Sequence, residues 1–268
     1  MIELSKIKTA IEERNAKWEA ADTPIFRRGA TPTGDSSLFG LNLDDVTRFA
    51  AADRSLFESV AGALPPKQVD WRKGDRACVT PIKDQGQCGA CVAFATCAVM
   101  ESSSWLRNGH PTILSEGHLF HCNGGSCTTG WGLTSGLDAA RNGVGLDQDL
   151  PWNPASGCKK IPSAVTVTQY RGRSAIEDRK RAIAQGPVLA AMRVFEDFLA
   201  YNGGIYAHVA GDQVGNHAIC VVGYDDDDQC WIIKNSWGPG FGEDGFFRLA
   251  YGQCGLDGEF LFFSAETT

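Results

Sequence analysis

Apolar and polar residues follow one another along this chain in two rhythms, helical first and strand-like later. Ile2, Leu4, Ile7, Ala10, Ile11 and Trp18 recur near the helical period with Glu and Lys between them, which predicts an amphipathic helix over about residues 1–22. Thr23-Pro24 breaks the pattern, and residues 28–43, rich in Gly, Pro, Ser and Thr, read as an extended segment without a core face. A second helical patch begins at Asp44-Asp45 and carries Val46, Phe49, Ala50, Leu56, Phe57 and Val60. Leu64-Pro65-Pro66 marks a boundary. Beyond it, residues 91–107 are apolar on most sides of a helix, through Cys91, Val92, Phe94, Ala95, Ala98, Val99, Met100 and Trp105. Shorter helices are expected at 114–121 and 133–142. Another is expected at 175–184, with Ser174 as N-cap and Gln185-Gly186-Pro187 as its stop. From Val188 onward the runs become short and alternate, predicting strands at 188–193, 218–223, 230–234, 245–249 and 260–263. Helices first and strands second give an α+β protein of two lobes, with no internal repeat.

Composition narrows the classes. A chain of 268 residues, 43% hydrophobic and 21% charged, can bury a full core. Its net charge of -7 argues against a nucleic-acid footprint, which needs a clustered basic face. No apolar run approaches the roughly 18 residues of a membrane span. The ten cysteines are many for a reducing cytosol, and several lie in Gly-rich loops: Gln87-Cys88-Gly89, Cys122-Asn123-Gly124-Gly125 and Gly157-Cys158. That suits disulfides formed in an oxidising compartment, such as a secreted, periplasmic, lysosomal or vacuolar setting; scattered buried thiols are the alternative. The first residues, Met1-Ile2-Glu3-Leu4-Ser5-Lys6, show no apolar signal-peptide core.

Three segments carry candidate chemistry. In Asp84-Gln85-Gly86-Gln87-Cys88-Gly89-Ala90-Cys91, a Gly-rich turn places Cys91 in the first turn of an apolar helix. Unpaired amides there favour negative charge, so the thiol pKa is expected to fall and the thiolate to act as nucleophile. Gln85 can point its amide at the oxygen that becomes negative; with the Cys91 backbone amide it would form an oxyanion hole, a contribution of roughly 3–4 kcal/mol per donor. His217, in Gly215-Asn216-His217-Ala218, enters an apolar run, and a lone histidine there is usually structural. The segment Trp231-Ile232-Ile233-Lys234-Asn235-Ser236-Trp237 changes that weighting. If the two strands form a hairpin, Asn235 holds one ring nitrogen of His217 and leaves the other for the thiol, under the cover of Trp237.

These segments resemble the signature regions of the papain-like cysteine peptidases, whose pattern is Cys-Gly-Ser/Ala-Cys-aromatic followed by His and Asn roughly 130–150 residues downstream. Here His217 and Asn235 lie 126 and 144 residues after Cys91. The resemblance covers about residues 65–268. It implies a two-lobed fold, a helical lobe (about 76–165) and a β-barrel-like lobe (about 166–260), with the cleft between them. It makes Cys91 the nucleophile, His217 the base, Asn235 its holder and Gln85 the oxyanion donor. Gly130 and Trp131 match the cleft wall that binds substrate backbone, and Ala191, Asn216, Ala218 and Trp237 complete the implied substrate-binding set. Asn15-Ala16-Lys17-Trp18 is similar to the short prosegment motif of cathepsin B-like members. It implies that residues 1–64 are an inhibitory prosegment, with 28–43 across the cleft; a flexible extension is the alternative. Cys254-Gly255-Leu256-Asp257-Gly258-Glu259 resembles the cathepsin B segment whose last glutamate sits in the second subsite, which implies acceptance of basic as well as hydrophobic side chains if Glu259 does the same. Family matching also pairs Cys88 with Cys127 and Cys122 with Cys158, leaving Cys78, Cys97, Cys220, Cys230 and Cys254 unassigned.

There are departures. Val92 replaces the usual aromatic after the nucleophile, and Thr128-Thr129 replaces Asn-Gly. No histidine lies between His121 and His208, so the occluding insertion of dipeptide-releasing members is missing and an endopeptidase is expected. The implied partners are peptide and protein substrates, the chain's own prosegment and inhibitors of the cystatin type. No cofactor or metal is implied, and a monomer is expected. The acids of 225–228 read as a solvated turn, and the spacing of His118, His121, Cys122 and Cys127 fits no common zinc site. Two other readings stay open: acyl transfer by the same triad, and a catalytically silent peptide-binding homologue.

Overall fold

The run from Cys91 to Asn108 forms helix α3 in the computed structural model, which describes residues 2–29, 38–42 and 64–268. Thirteen of its residues are buried, as the all-round apolar pattern requires, and Gly109 ends it in the left-handed conformation (φ 77°). One side of α3 lies on two short helices, α4 (Glu116–His121) and α5 (Leu133–Ala140). Its other side lies on strands β4 (Val188–Phe195), β6 (Gln213–Asp225) and β9 (Phe262–Thr267). The helical lobe therefore packs against the β-rich lobe through the helix that begins at Cys91.

The strands run in the order β1-β5-β8-β7-β6-β4-β9-β3, with β2 (Gln68–Asp70) pairing separately with β6. Here β1 is Trp18–Ala20, β3 Val167–Arg173, β5 Tyr201–Tyr206, β7 Cys230–Lys234 and β8 Phe246–Ala250. Among the strand pairs of the described residues only β5–β8 is parallel. Among the described residues this sheet runs as an open path. Strands β3 and β5 have no run in the sequence that predicts them: polar residues interrupt VTQYRGR, and two glycines interrupt YNGGIY. Helix α6 (Ile176–Gln185) is capped at Ala175 without a side-chain bond, one residue later than Ser174.

The expected first helix stops early. It spans Leu4–Glu13 (α1); Asn15 turns at φ 49°, and the chain then adds β1 to the edge of β5. Trp18 decides this, because its indole is 3% exposed, lies at 6.3 and 5.0 Å from the rings of Tyr201 and Tyr206, and donates to the Ala207 carbonyl at 3.0 Å. A short helix, α2 (Pro24–Arg28), follows with Thr23 as N-cap. The helical patch expected at 44–60 lies outside the described residues.

There are two cores. One surrounds α3; the other fills the β-rich lobe and includes Ile7, Trp18, Ile25 and Leu38 from the N-terminal region. Disulfides join Cys88 to Cys127 and Cys122 to Cys158, while the remaining six cysteines are free and buried. Among the described residues no helix is long and apolar enough to cross a membrane.

Candidate active site

Cys91 is the first residue of α3, and the turn before it is held from several directions. The Cys88–Cys127 disulfide clamps it, and the Gly89 amide donates to the Cys127 carbonyl at 3.0 Å. Gly89, Gly40 and Gly130 meet so closely that a Cβ on Gly40 would lie 1.9 Å from the Gly89 carbonyl oxygen, and one on Gly130 1.9 Å from that of Gly40. Only glycines let three backbones pass there. Val92, in the place of an aromatic, is fully buried and faces α5, where a Cβ on Gly136 would come within 2.7 Å of its methyl group.

The opposite wall is built by strand register. Strands β4 and β6 pair Ala191 with Ala218 and Met192 with His217, so His217 lies inside a strand that starts five residues before the expected one. Strands β6 and β7 pair Cys220 with Lys234, which brings Asn235 beside His217. Asn235 Oδ1 accepts from His217 Nε2 at 2.8 Å, and the Trp237 ring lies 4.7 Å from the imidazole. Nδ1 of His217 has no hydrogen-bond partner among the described residues. Burial pushes the His217 pKa down to about 4, partly opposed by the Asn235 bond, so the ring is neutral at pH 7.

Gln85 connects the two walls. Its Nε2 donates to the Cys88 carbonyl at 2.8 Å and its Oε1 accepts from Ser236 Oγ at 2.6 Å. Its amide donates to the Ser236 carbonyl, and its own carbonyl accepts from Trp152 Nε1 at 3.2 Å. Ser236 and Trp152 have no sequence signature; their roles follow from what they touch. Beneath, a buried polar network also crosses the lobes. Lys234, next to Asn235, donates to Thr80 Oγ1, which donates to Glu101, and Glu101 accepts from the Leu114 amide. Lys83 reaches Glu116 at 2.8 Å and Glu101 at 3.4 Å. Burial raises Glu116 to about 7 against the pull of Lys83.

Residues 38–42 lie in the cleft between these walls. The Leu38 carbonyl accepts from Gln85 Nε2 at 3.3 Å, so a donor suited to a developing oxyanion meets a carbonyl of the N-terminal segment. Phe39 stands 6.2 Å from the Trp237 ring and against Gly215. The Trp131 amide donates to the Gly40 carbonyl at 2.6 Å, the Asn42 amide donates to the Trp131 carbonyl at 3.1 Å, and Leu41 bridges Trp131 in a parallel sense. Cys91 and His217 are both 0% exposed. The thiol is therefore not lowered as its helix position suggested: burial pushes it up, and the amides of Ala218, Gly40, Val92 and Cys91 pull it part of the way back. A cavity of about 590 Å³ lies elsewhere, lined by Leu106, Arg107, Gln185 and Thr267 among others and by none of these residues.

Of the expected substrate-binding residues, Gly130 and Trp131 touch the segment, Trp237 covers His217, and Ala191 and Ala218 face the α3 core. Asn216 pairs with Arg193 across the strands and accepts from Gln213 at 3.1 Å. Glu259 is not a free acid, since Arg193 Nη2 stands 2.7 Å from its Oε2.

A family model described as papain family cysteine protease matches residues 65–263. The chain is 33% identical to ananain of Ananas comosus over 216 residues, covering 75% of this chain and 62% of that protein. It therefore spans less than two thirds of that plant relative. It is 29% identical over 281 residues to cathepsin B-like CP2 of Giardia intestinalis, covering 92% of this chain and 89% of that one. Among solved structures, procathepsin B S9 from Trypanosoma congolense shares the fold with a TM-score of 0.83 at 22% identity, over 100% of this chain and 98% of that one.

Proposed function

The chain belongs to the papain family of cysteine proteases, and on that premise we propose that it is the latent form of a cysteine endopeptidase, residues 1–64 being the inhibitory prosegment and 65–268 the enzyme. The observation that carries this reading is the covered site. A segment of the chain lies along the cleft with the Gly40 amide at the Cys91 sulfur and the Leu38 carbonyl on Gln85, where the backbone of a substrate would lie.

Once the segment leaves, the chemistry follows from the arrangement. Asn235 commits Nε2 of His217 as a donor, so Nδ1 is the lone-pair nitrogen that takes the Cys91 proton. The thiolate attacks the scissile carbonyl carbon; the electron pair moves to oxygen, where Gln85 Nε2 and the Cys91 amide stabilise it. Collapse breaks the C–N bond as His217 gives its proton to the leaving amine. His217 then takes a proton from water, hydroxide attacks the thioester, and the acid product and free thiol are released. No cofactor enters these steps.

Extended substrate backbone would pair with Gly130 and Trp131, and side chains would meet Ala191, Ala218, Asn216 and Trp237. The second subsite takes hydrophobic side chains; its acceptance of basic ones turns on Glu259. Two disulfides suit an oxidising compartment. The test is hydrolysis of a fluorogenic Phe-Arg peptide by the full chain before and after removal of the segment, with Cys91→Ala as control. We expect cleavage only after removal and none by the variant. Equal rates before and after would overturn the inhibitory role, and cleavage by Cys91→Ala would overturn the mechanism.

A further inference from the structure

We propose that Arg193 determines the charge preference of the subsite that Leu41 occupies, by neutralising Glu259; the proposal rests on the endopeptidase reading above and concerns the substrate class it would take. Leu41 is 8% exposed and belongs to one apolar cluster with Ala191, Ala218, Leu133, Leu137 and Phe260. Its neighbours Gly40 and Asn42 are bonded to the Trp131 backbone, so its side chain leaves a chain laid along the cleft wall and enters a pocket shared by both lobes. A side chain of Leu size satisfies that pocket.

Two charged residues adjoin members of this cluster along the chain, and the backbone places them. Arg193 follows Ala191 by two positions on β4, so both project from the same face of the strand. Glu259 immediately precedes Phe260. Arg193 is fixed at its own amide, which donates to the Cys254 carbonyl at 2.8 Å. Glu259 is backed by the turn at Cys254 (φ 56°) and Gly255 (φ 70°), where a Cβ on Gly255 would lie 3.0 Å from its carboxyl carbon. The side chains meet at 2.7 Å and remain 43% and 46% exposed. A pair so open to water adds little to folding stability. Its effect falls on whatever enters the pocket beside it.

A substrate Arg or Lys can reach Glu259 only by displacing Arg193, and a substrate Glu can reach Arg193 only by displacing Glu259. Each exchange loses one ion pair for the one it gains, so neither charge is favoured over an apolar side chain. Removing one partner breaks that balance in a direction set by the charge that remains.

The experiment uses the full chain after cleavage of its N-terminal segment and three peptides differing only at the position Leu41 models: Leu, Arg and Glu. The wild type should favour Leu. Arg193→Ala should raise the Arg-to-Leu ratio of kcat/KM roughly fivefold, and Arg193→Gln should do the same. Glu259→Ala should raise the Glu-to-Leu ratio by a similar factor, and the double variant should return both ratios toward the wild-type values. Ratios unmoved in the single variants, or a wild type that already favours Arg, would overturn the proposal. If the wild type cleaves none of the three, the endopeptidase reading fails. The same ratios are then read from how strongly each peptide slows alkylation of Cys91: a charge-dependent shift in Arg193→Ala sustains the proposal, and no shift overturns it.

Discussion

Cys91 and His217 stand on walls made in different ways. The Cys91 wall is a loop packed onto a helix start, held by a disulfide, by three glycine backbones in contact and by the side chain of Gln85. The His217 wall is sheet: β4, β6 and β7 fix His217 and Asn235 by backbone register, with Trp237 over them. Register is a collective property in which every rung supports its neighbours, and a one-residue slip would turn the inner face outward. A loop has no such redundancy, so each of its staples matters singly. The covering segment touches both walls, through Gly89 and Trp131 on one side and Gly215 and Trp237 on the other.

The largest expected effect tests whether the walls work only together. Cys91→Ala and His217→Ala should each lower kcat/KM on a peptide substrate by at least about 10⁴-fold, and the double variant should be little worse than either. An additive double loss would mean that the two residues do not act as a unit. Next is the connection between the walls. Gln85→Ala should lower kcat roughly 10²–10³-fold with a much smaller change in KM, because its donor is needed where charge develops. A rise in KM at constant kcat would assign Gln85 to substrate binding instead.

Third, Cys88→Ser with Cys127→Ser removes a staple closing a 39-residue separation. It should cost about 2–4 kcal/mol in chemical denaturation, with hydrogen exchange rising first around 88–91 and 127–131, while the β6–β7 amides keep their protection. Uniform loss of protection would erase the contrast between the walls.

The smallest effect is a pH dependence from the sheet wall. In the covered form burial holds His217 near 4, against 6.5 when solvated. Between those values the covered state binds fewer protons than states in which the ring meets water, so its stability is full above about pH 6.5 and falls toward pH 4. The loss is at most about 3 kcal/mol. The melting temperature of the full chain should drop over that window, and the drop should be smaller in His217→Gln. The same proton uptake favours release of the segment in acid.

Legibility differed along the same line. Helix α3 was visible because its apolar residues repeat on nearly every side, and β7 because its strand run lies between clear breaks. The adjacent strand runs around His217 and Asn235 left open a hairpin that would join the two residues, and β6 and β7 form it. Strand β5 was invisible because Gly203 and Gly204 carry no pattern; their place is set by Trp18 and Glu243, which come from elsewhere in the chain. The first helix was overextended because Trp18 fits a helical face as well as it fits the pocket beside Tyr201 and Tyr206. Glu259 looked like an unpaired acid because Arg193 is 66 residues away in sequence.

By itself the sequence determined the two-lobed class, the papain-like signature and the strand pattern around His217, because these depend on residue type and short-range periodicity. Tertiary structure alone decided the state of the site: the thiol raised by burial although it stands at a helix start, the carbonyl of Leu38 on Gln85, and the guanidinium on Glu259. Each of these is an electrostatic or desolvation effect between groups distant in the chain, and such effects depend on separation in space, which no local pattern records.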